Sequence, residues 1–428
     1  MGRWRGETGA RFRLYPQAPR QLGITEPETI VLAAPAGSIG PGPSDDRMYA
    51  VVPRGKELPY GSHATDEGEQ IMFVPPWHGE TLAPAMPDAQ GHFDHIETGT
   101  RAFEAAHVFG CAHFVLDIWE DYFGHPVPWH FAKDYDRLEL SVLPSLKNGI
   151  IGWGFLEVGE VPNKSGEMQP FSLNFDVIAH EIGHALVYSM VGMPDPDDEN
   201  AEYYGFHESA ADLVALLASL HFDSVSELLL SRTSGNLYTV NRFTRFGELG
   251  EGDQIRFAAN DSVMDDFAAS WSDEHKLAQP LTGAVFDTIV DAFHEALLDL
   301  GLIPPEMEDL SDRLEGNPDY GLELQDDFDK WYAREPEGFR AALDDARDFM
   351  GVLLAAAWRL IDSDELTYEE VMHALVRVDR ELTGERFGRT IRHNCERRGI
   401  GSVRPGPHVP NKKSVSHVHS SRTVVPLD

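Results

Sequence analysis

"FDVIAHEIGHALVYSMVG", Phe175–Gly192, reads as an apolar helix interrupted by His180, Glu181 and His184. Groups of this kind are costly to bury without partners. Residues four apart share a helix face, so both imidazoles can aim a nitrogen at one point in space. Glu181 leaves the helix about 100° from His180 and can hold a water at that same point. The arrangement is the H-E-x-x-H pattern: two metal ligands and a general base. The alternative is a pair of core histidines hydrogen-bonded to their neighbours. Asn174 is placed to cap the helix, Asp176 lies in its first turn where a carboxylate suits the dipole, and Gly192 followed by Pro194 ends it.

A second stretch favours the metal. In "GFHESAADLVALLASLHF", Gly205–Phe222, Glu208 and Asp212 are four apart and share one face of an otherwise apolar helix. Catalytic zinc takes three protein ligands and keeps a fourth position for water, which makes Glu208 the natural third ligand. Asp212 can accept the second N–H of a ligand histidine and so fix its tautomer. His207 points elsewhere by helix geometry and reads as structural. Taken singly, either acidic residue would be an ordinary solvated face or core salt bridge.

Bulk properties narrow the class. With 428 residues the chain can bury a large core, and length suggests two or three domains or lobes. Lys and Arg number 35 against 71 Asp and Glu, a formal net charge of -36. Phosphate neutralisation needs clustered cations, so a nucleic-acid partner is not expected, nor an anionic membrane surface. Two cysteines, Cys111 and Cys395, make neither a disulfide framework nor a zinc knuckle. "MGRWRGETGARFRLYPQ" lacks the apolar core of a secretory signal, and no apolar run reaches the roughly 18 residues of a membrane span. The expectation is a soluble, cytoplasmic protein, with export by another route left open.

Along the chain, residues 1–45 are rich in Gly, Pro and Arg and read as a poorly ordered arm. Residues 46–174 read as a β-rich lobe with one long amphipathic helix near His95–Tyr122, in which Phe103, Val108, Cys111, Phe114, Val115 and Ile118 recur at helical spacing. Residues 175–400 read as helical, with helices expected over Phe175–Val191, Gly205–His221, Gly283–Leu300, Gly338–Ile361 and Thr367–Leu382. Residues 401–428 have the composition of a disordered tail.

With "DVIAHEIGHAL" followed by "HESAAD", the chain resembles the thermolysin-like gluzincin metallopeptidases over about Ala50 to Leu300. The resemblance implies an α+β fold, a two-lobed zincin with a β-rich N-terminal lobe, a helical C-terminal lobe and the active-site cleft between them. It implies a zinc ion (Zn2+) on His180, His184 and Glu208, Glu181 as base and proton shuttle, and Asp212 behind His180. It further implies a downstream oxyanion-stabilising histidine, for which His275, just before a helix, is preferred to His294 within it. Arg256 matches the setting of a carbonyl-binding arginine, or is a salt-bridging one. "GWGFLEVG" is either the edge strand that pairs with an extended peptide, with Trp153, Gly154 and Phe155 lining the cleft, or a plain core strand. Tyr203 or Tyr204 is a weaker second oxyanion donor.

Departures from the pattern concern calcium. Asp176 matches a Ca2+ ligand of the family, but its acidic partner is replaced near Ser219, and "MPDPDDENAEYY" lacks the glycine of an EF-hand. His92, His95, His125 and His130 are loop histidines and read as non-ligands. The expected function is a zinc-dependent metalloendopeptidase acting on peptides or proteins. The rivals are a catalytically weak gluzincin-fold module for peptide binding or assembly, and an aminopeptidase, for which no segment resembling "GAMEN" is present.

Overall fold

The structure, a computed structural model, describes residues 8–19, 25–64, 70–162, 166–197, 200–237, 245–246, 256–257, 260–267, 273–307, 310 and 323–401. The described residues form a mixed α+β fold in two compact units, 8–190 and 191–401.

The first unit opens with β1 (Gly9–Leu14) paired antiparallel to β2 (Glu28–Pro35). The short strands β3 (Met48–Val51), β4 (Gly61–Ala64) and β5 (Gln70–Phe73) follow, and then the long helix α1 (Arg101–Phe123). Next come β6 (Leu138–Val142), β7 (Gly149–Gly152), β8 (Phe155–Val158), β9 (Glu160–Pro162) and β10 (Met168–Pro170). The helix α2 (Phe175–Met190) closes the unit. Its main sheet has the order β3-β6-β8-β7, with β3, β6 and β8 parallel and β7 antiparallel on the edge. The β3-to-β6 crossover contains α1, as a parallel connection requires.

Residues 1–45, expected as a poorly ordered arm, instead supply the β1–β2 pair. In "GARFRL", Ala10, Phe12 and Leu14 are buried and alternate with Arg11 and Arg13, a strand period masked in the sequence by surrounding Gly and Pro. Phe12 stacks on Phe93 at 4.7 Å between centroids, and Leu14 lies against Gly110 of α1, where a side chain would meet its Cδ2 at 2.7 Å. The long helix starts at Arg101, later than expected, because Thr100 caps it by accepting from Phe103 N at 3.1 Å. Gly124, at φ 73°, ends it. It is buried nearly all round rather than along one stripe, being central to this unit. The helix α2 also belongs to this unit, so the boundary falls after Met190 and not at residue 175. Its apolar faces are covered by α1 and β7.

The second unit is helical: α3 (Ala201–Ser219), α4 (Asp223–Thr233), α5 (Glu274–Asp299), α6 (Gln325–Arg334), α7 (Pro336–Trp358), α8 (Tyr368–Thr383) and α9 (Gly388–Arg397). A short pair, β11 (Arg245–Phe246) and β12 (Arg256–Phe257), lies between α4 and α5. The helix α5 is central, packing against α3, α7 and α9. It begins at Glu274 rather than Gly283. Pro280 within it hid its first turns from the periodicity, since proline normally breaks a helix interior. Residues 402–428, expected as a tail, lie outside the described residues. Among the described residues no single helix is long and apolar enough to cross a membrane.

Candidate metal centre

Asn174 caps α2, its Oδ1 accepting from Asp176 N at 3.0 Å. Asp176 Oδ2 in turn accepts from the Gln17 amide at 3.0 Å, tying the segment after β1 to the start of this helix. On α2, His180, Glu181 and His184 are all buried. The two imidazoles stand edge to face, with centroids 4.5 Å apart and planes at 83°. That is the pairing expected of i and i+4 side chains on one face.

The edge strand β7 crosses α2 beside Glu181. A Cβ on Gly149 would lie 2.9 Å from Val177 Cγ1 and 3.5 Å from both Cγ and Oε1 of Glu181. Gly149 thus lets backbone and carboxylate approach, and the sequence reading missed it. Glycine in a strand marks such a close approach, and "NGIIG" carried that signal.

Helix α3 carries Glu208 and Asp212, both buried, at 3% and 4% exposure. Nδ1 of His275 lies 2.8 Å from Oε2 of Glu208. His275 sits in the first turn of α5, where Asp273 caps the helix by accepting from His275 N and Lys276 N, and not before the helix as expected. One residue past Glu208, the Thr282 hydroxyl donates to Ser209 Oγ at 2.8 Å, a second buried tie between α5 and α3. His294, the rival to His275, contacts the Met307 carbonyl through Nε2 at 2.7 Å, and burial lowers its pKa.

His180 and His184 on α2 and Glu208 on α3 are each buried, and between them they offer two imidazoles and a carboxylate as donors. This donor set, two imidazoles and a carboxylate, is that of three-ligand hydrolytic zinc sites. Asp88, Asp94 and His95, each offering one ligand atom within 4.8 Å of the others, form a more exposed group. There Arg11 Nε already occupies Asp94 Oδ2 at 2.7 Å.

Other expected residues fall elsewhere. The strand β8 is hydrogen-bonded on both sides, to β6 and β7, so the "FLEV" of "GWGFLEVG" is an inner strand, and the edges of this sheet are β3 and β7. Phe155 is buried against Tyr60 and Ile150 as a core residue. Gly154, at φ 85°, makes the turn between β7 and β8, with the Tyr135 ring where a side chain would go. Trp153 donates from Nε1 to Asp134 Oδ2 at 2.8 Å and packs edge-on against His130. His130 also contacts the Tyr188 ring on α2, and burial holds its pKa down at about 4. The Tyr203 hydroxyl donates to the Gly192 carbonyl at 2.8 Å, a structural use rather than an oxyanion one. Ser219 Oγ donates back to Leu216 O within its helix. Arg256 lies in β12, and its side chain is outside the described residues.

No family model and no curated protein matches the sequence. A solved structure similar to this chain is the precursor of protealysin, a metalloproteinase from Serratia proteamaculans. It is 8% identical, covers 86% of this chain and 89% of that one, and has a TM-score of 0.41.

Proposed function

We propose that the chain is a zinc-dependent metalloendopeptidase of zincin type, acting on peptides or proteins. The observation that carries this reading is the pair of imidazoles, His180 and His184, set together on one buried face of α2 with Glu181 buried beside them; Glu208 supplies the third ligand. Zinc bound there supplies Lewis-acid polarisation of a scissile carbonyl and lowers the pKa of a water toward about 7.

The chain's own residues do the rest. Glu181 accepts the proton of the attacking water and passes it to the departing amine. Asp212 holds His180 in the tautomer that presents a lone pair. His275, engaged through Nδ1 with Glu208, donates from its other nitrogen to the developing oxyanion, and Arg256 adds a second donor. An extended peptide lies along the edge strand β7, pairing main chain to main chain where Gly149 brings that strand against Glu181. Affinity of this kind is broad, and side-chain preference comes from what surrounds the strand.

The test is Glu181→Gln assayed on quenched-fluorescence peptides beside elemental analysis. The variant should keep its zinc and lose turnover by roughly 100- to 10,000-fold, the usual contribution of a positioned base. Undiminished cleavage by that variant removes Glu181 from its role. A zinc-loaded wild type that cleaves nothing in a diverse library makes the chain a binding module instead.

A further inference from the structure

The C-terminal quarter, outside the resemblance, reaches back to the helices that carry Glu208 and His275. Tyr368 is the first residue of α8, which Thr367 caps. Its backbone N–H donates to Glu202 Oε2, in the first turn of α3, at 2.6 Å. Its hydroxyl donates to the Leu277 carbonyl of α5, two residues beyond His275, at 2.7 Å. The side chain is 1% exposed, and burial, with Glu202 nearby, raises its pKa well above the ordinary tyrosine value, so the hydroxyl remains a donor.

The same hydroxyl occupies the space where a side chain on Gly205 would stand. Gly205 lies one helical turn before Glu208, on the helix that presents that carboxylate. One residue therefore touches α3 at Glu202 and Gly205 and α5 at Leu277. It spans the two helices whose separation sets the 2.8 Å contact between Glu208 and His275. The glycine in "YYGFHESAAD" is explained in the same stroke: a methyl group there would displace the hydroxyl or part the helices.

We propose that Tyr368 is a positioning residue for the Glu208–His275 pair, wedged between α3 and α5 through the gap that Gly205 leaves. The proposal rests on the reading of Glu208 as a metal ligand. It does not rest on the reaction being peptide hydrolysis.

The experiment compares full-length wild type, Tyr368→Phe, Gly205→Ala and the double variant. Zinc affinity is measured by competition with a chromophoric chelator, and kcat and KM on a peptide. Tyr368→Phe keeps the ring and loses the hydroxyl. It should bind zinc about tenfold more weakly, as outer partners of ligands do when removed, and lower kcat with little change in KM. Gly205→Ala should weaken zinc in the wild-type background and cost less in the Tyr368→Phe background, where the severest clash, with that oxygen, is gone and only the closer approach to Leu277, 3.0 Å to its Cγ, remains. That non-additivity is what direct contact predicts.

Wild-type zinc affinity and kcat in a folded Tyr368→Phe would overturn the proposal, as would an equal cost of Gly205→Ala in both backgrounds, which would put the whole of that cost on Leu277 and none on the hydroxyl. Should Tyr368→Phe fail to fold, Gly205→Ala alone decides, and unchanged zinc affinity in it counts against the wedge. If no form cleaves peptides while zinc affinity follows the predicted pattern, the wedge stands and the peptidase reading falls. If the wild type cleaves and the variants match it, the reverse holds.

Discussion

His113 shows how far neighbours can overrule burial. Its Nδ1 is 3.1 Å from Asp117 Oδ1 and its Nε2 is 3.5 Å from Asp45 Oδ2. Burial alone would pull its pKa down, but the two carboxylates outweigh it and raise the value to about 10. The same carboxylates accept backbone N–H groups, Asp117 from Ala33 in β2 and Asp45 from Arg47 and Met48. A charged imidazole thus clips β2 and the start of β3 to α1. Its folded pKa lies above the unfolded value of about 6.5, so its contribution is fully present below about 6.5 and is lost as pH rises through about 10. His113→Gln should cost roughly 3 kcal/mol at pH 7, the scale of breaking a buried pair. In urea unfolding, the gap to wild type should narrow as pH approaches about 10. A gap that stays constant with pH would mean the imidazole is not held charged. His107 behaves oppositely: Tyr15 N donates to its Nε2 at 2.8 Å, and burial lowers its pKa to about 4. It contributes stability above the unfolded value of about 6.5, which is lost as pH falls through about 4.

At the scale of elements, the strand β7 and helix α2 make the sharpest prediction. Their approach depends on Gly149 having no side chain, since a Cβ there meets Val177 Cγ1 at 2.9 Å and Glu181 at 3.5 Å. Gly149→Val should push the strand from the helix and move Glu181. Turnover should fall at least tenfold while the melting temperature drops only a few degrees and zinc content holds. Equal losses of fold and activity would make the contact merely structural. This contact also marks where the sequence stopped being legible. Two histidines four apart on an apolar helix, followed by a carboxylate pair at the same spacing, announce themselves because each pattern is local to one helix. Sheet order is not local: β8 pairs with β6 across the intervening strand β7 and its connections, so nothing in "GWGFLEVG" distinguishes an inner strand from an edge. The start of α5 was hidden by Pro280, and β1 by the glycines and prolines flanking three alternating apolar residues. Tyr368 and Gly205 meet only through tertiary packing, and neither residue type signals the other.

At the scale of the whole molecule, a formal charge of -36 means that any cation screens self-repulsion and so favours the compact state. Stabilisation by zinc alone therefore proves little. Specific binding to the native state adds RT ln(1 + [L]/Kd), about 4 kcal/mol at a thousandfold excess over Kd, and depends on the identity of the ion. Screening depends on ionic strength alone. A chelator that strips zinc at fixed ionic strength should lower the melting temperature by several degrees, and equimolar zinc should restore it. Magnesium at the same ionic strength should not, because that site offers imidazole nitrogens to a cation that prefers oxygen. In His180→Ala/His184→Ala the chelator should have no effect, while added salt should raise the melting temperature as it does in wild type. If magnesium restores the wild type as well as zinc does, the ion is acting on the charge of the chain, and the buried histidines are core residues after all.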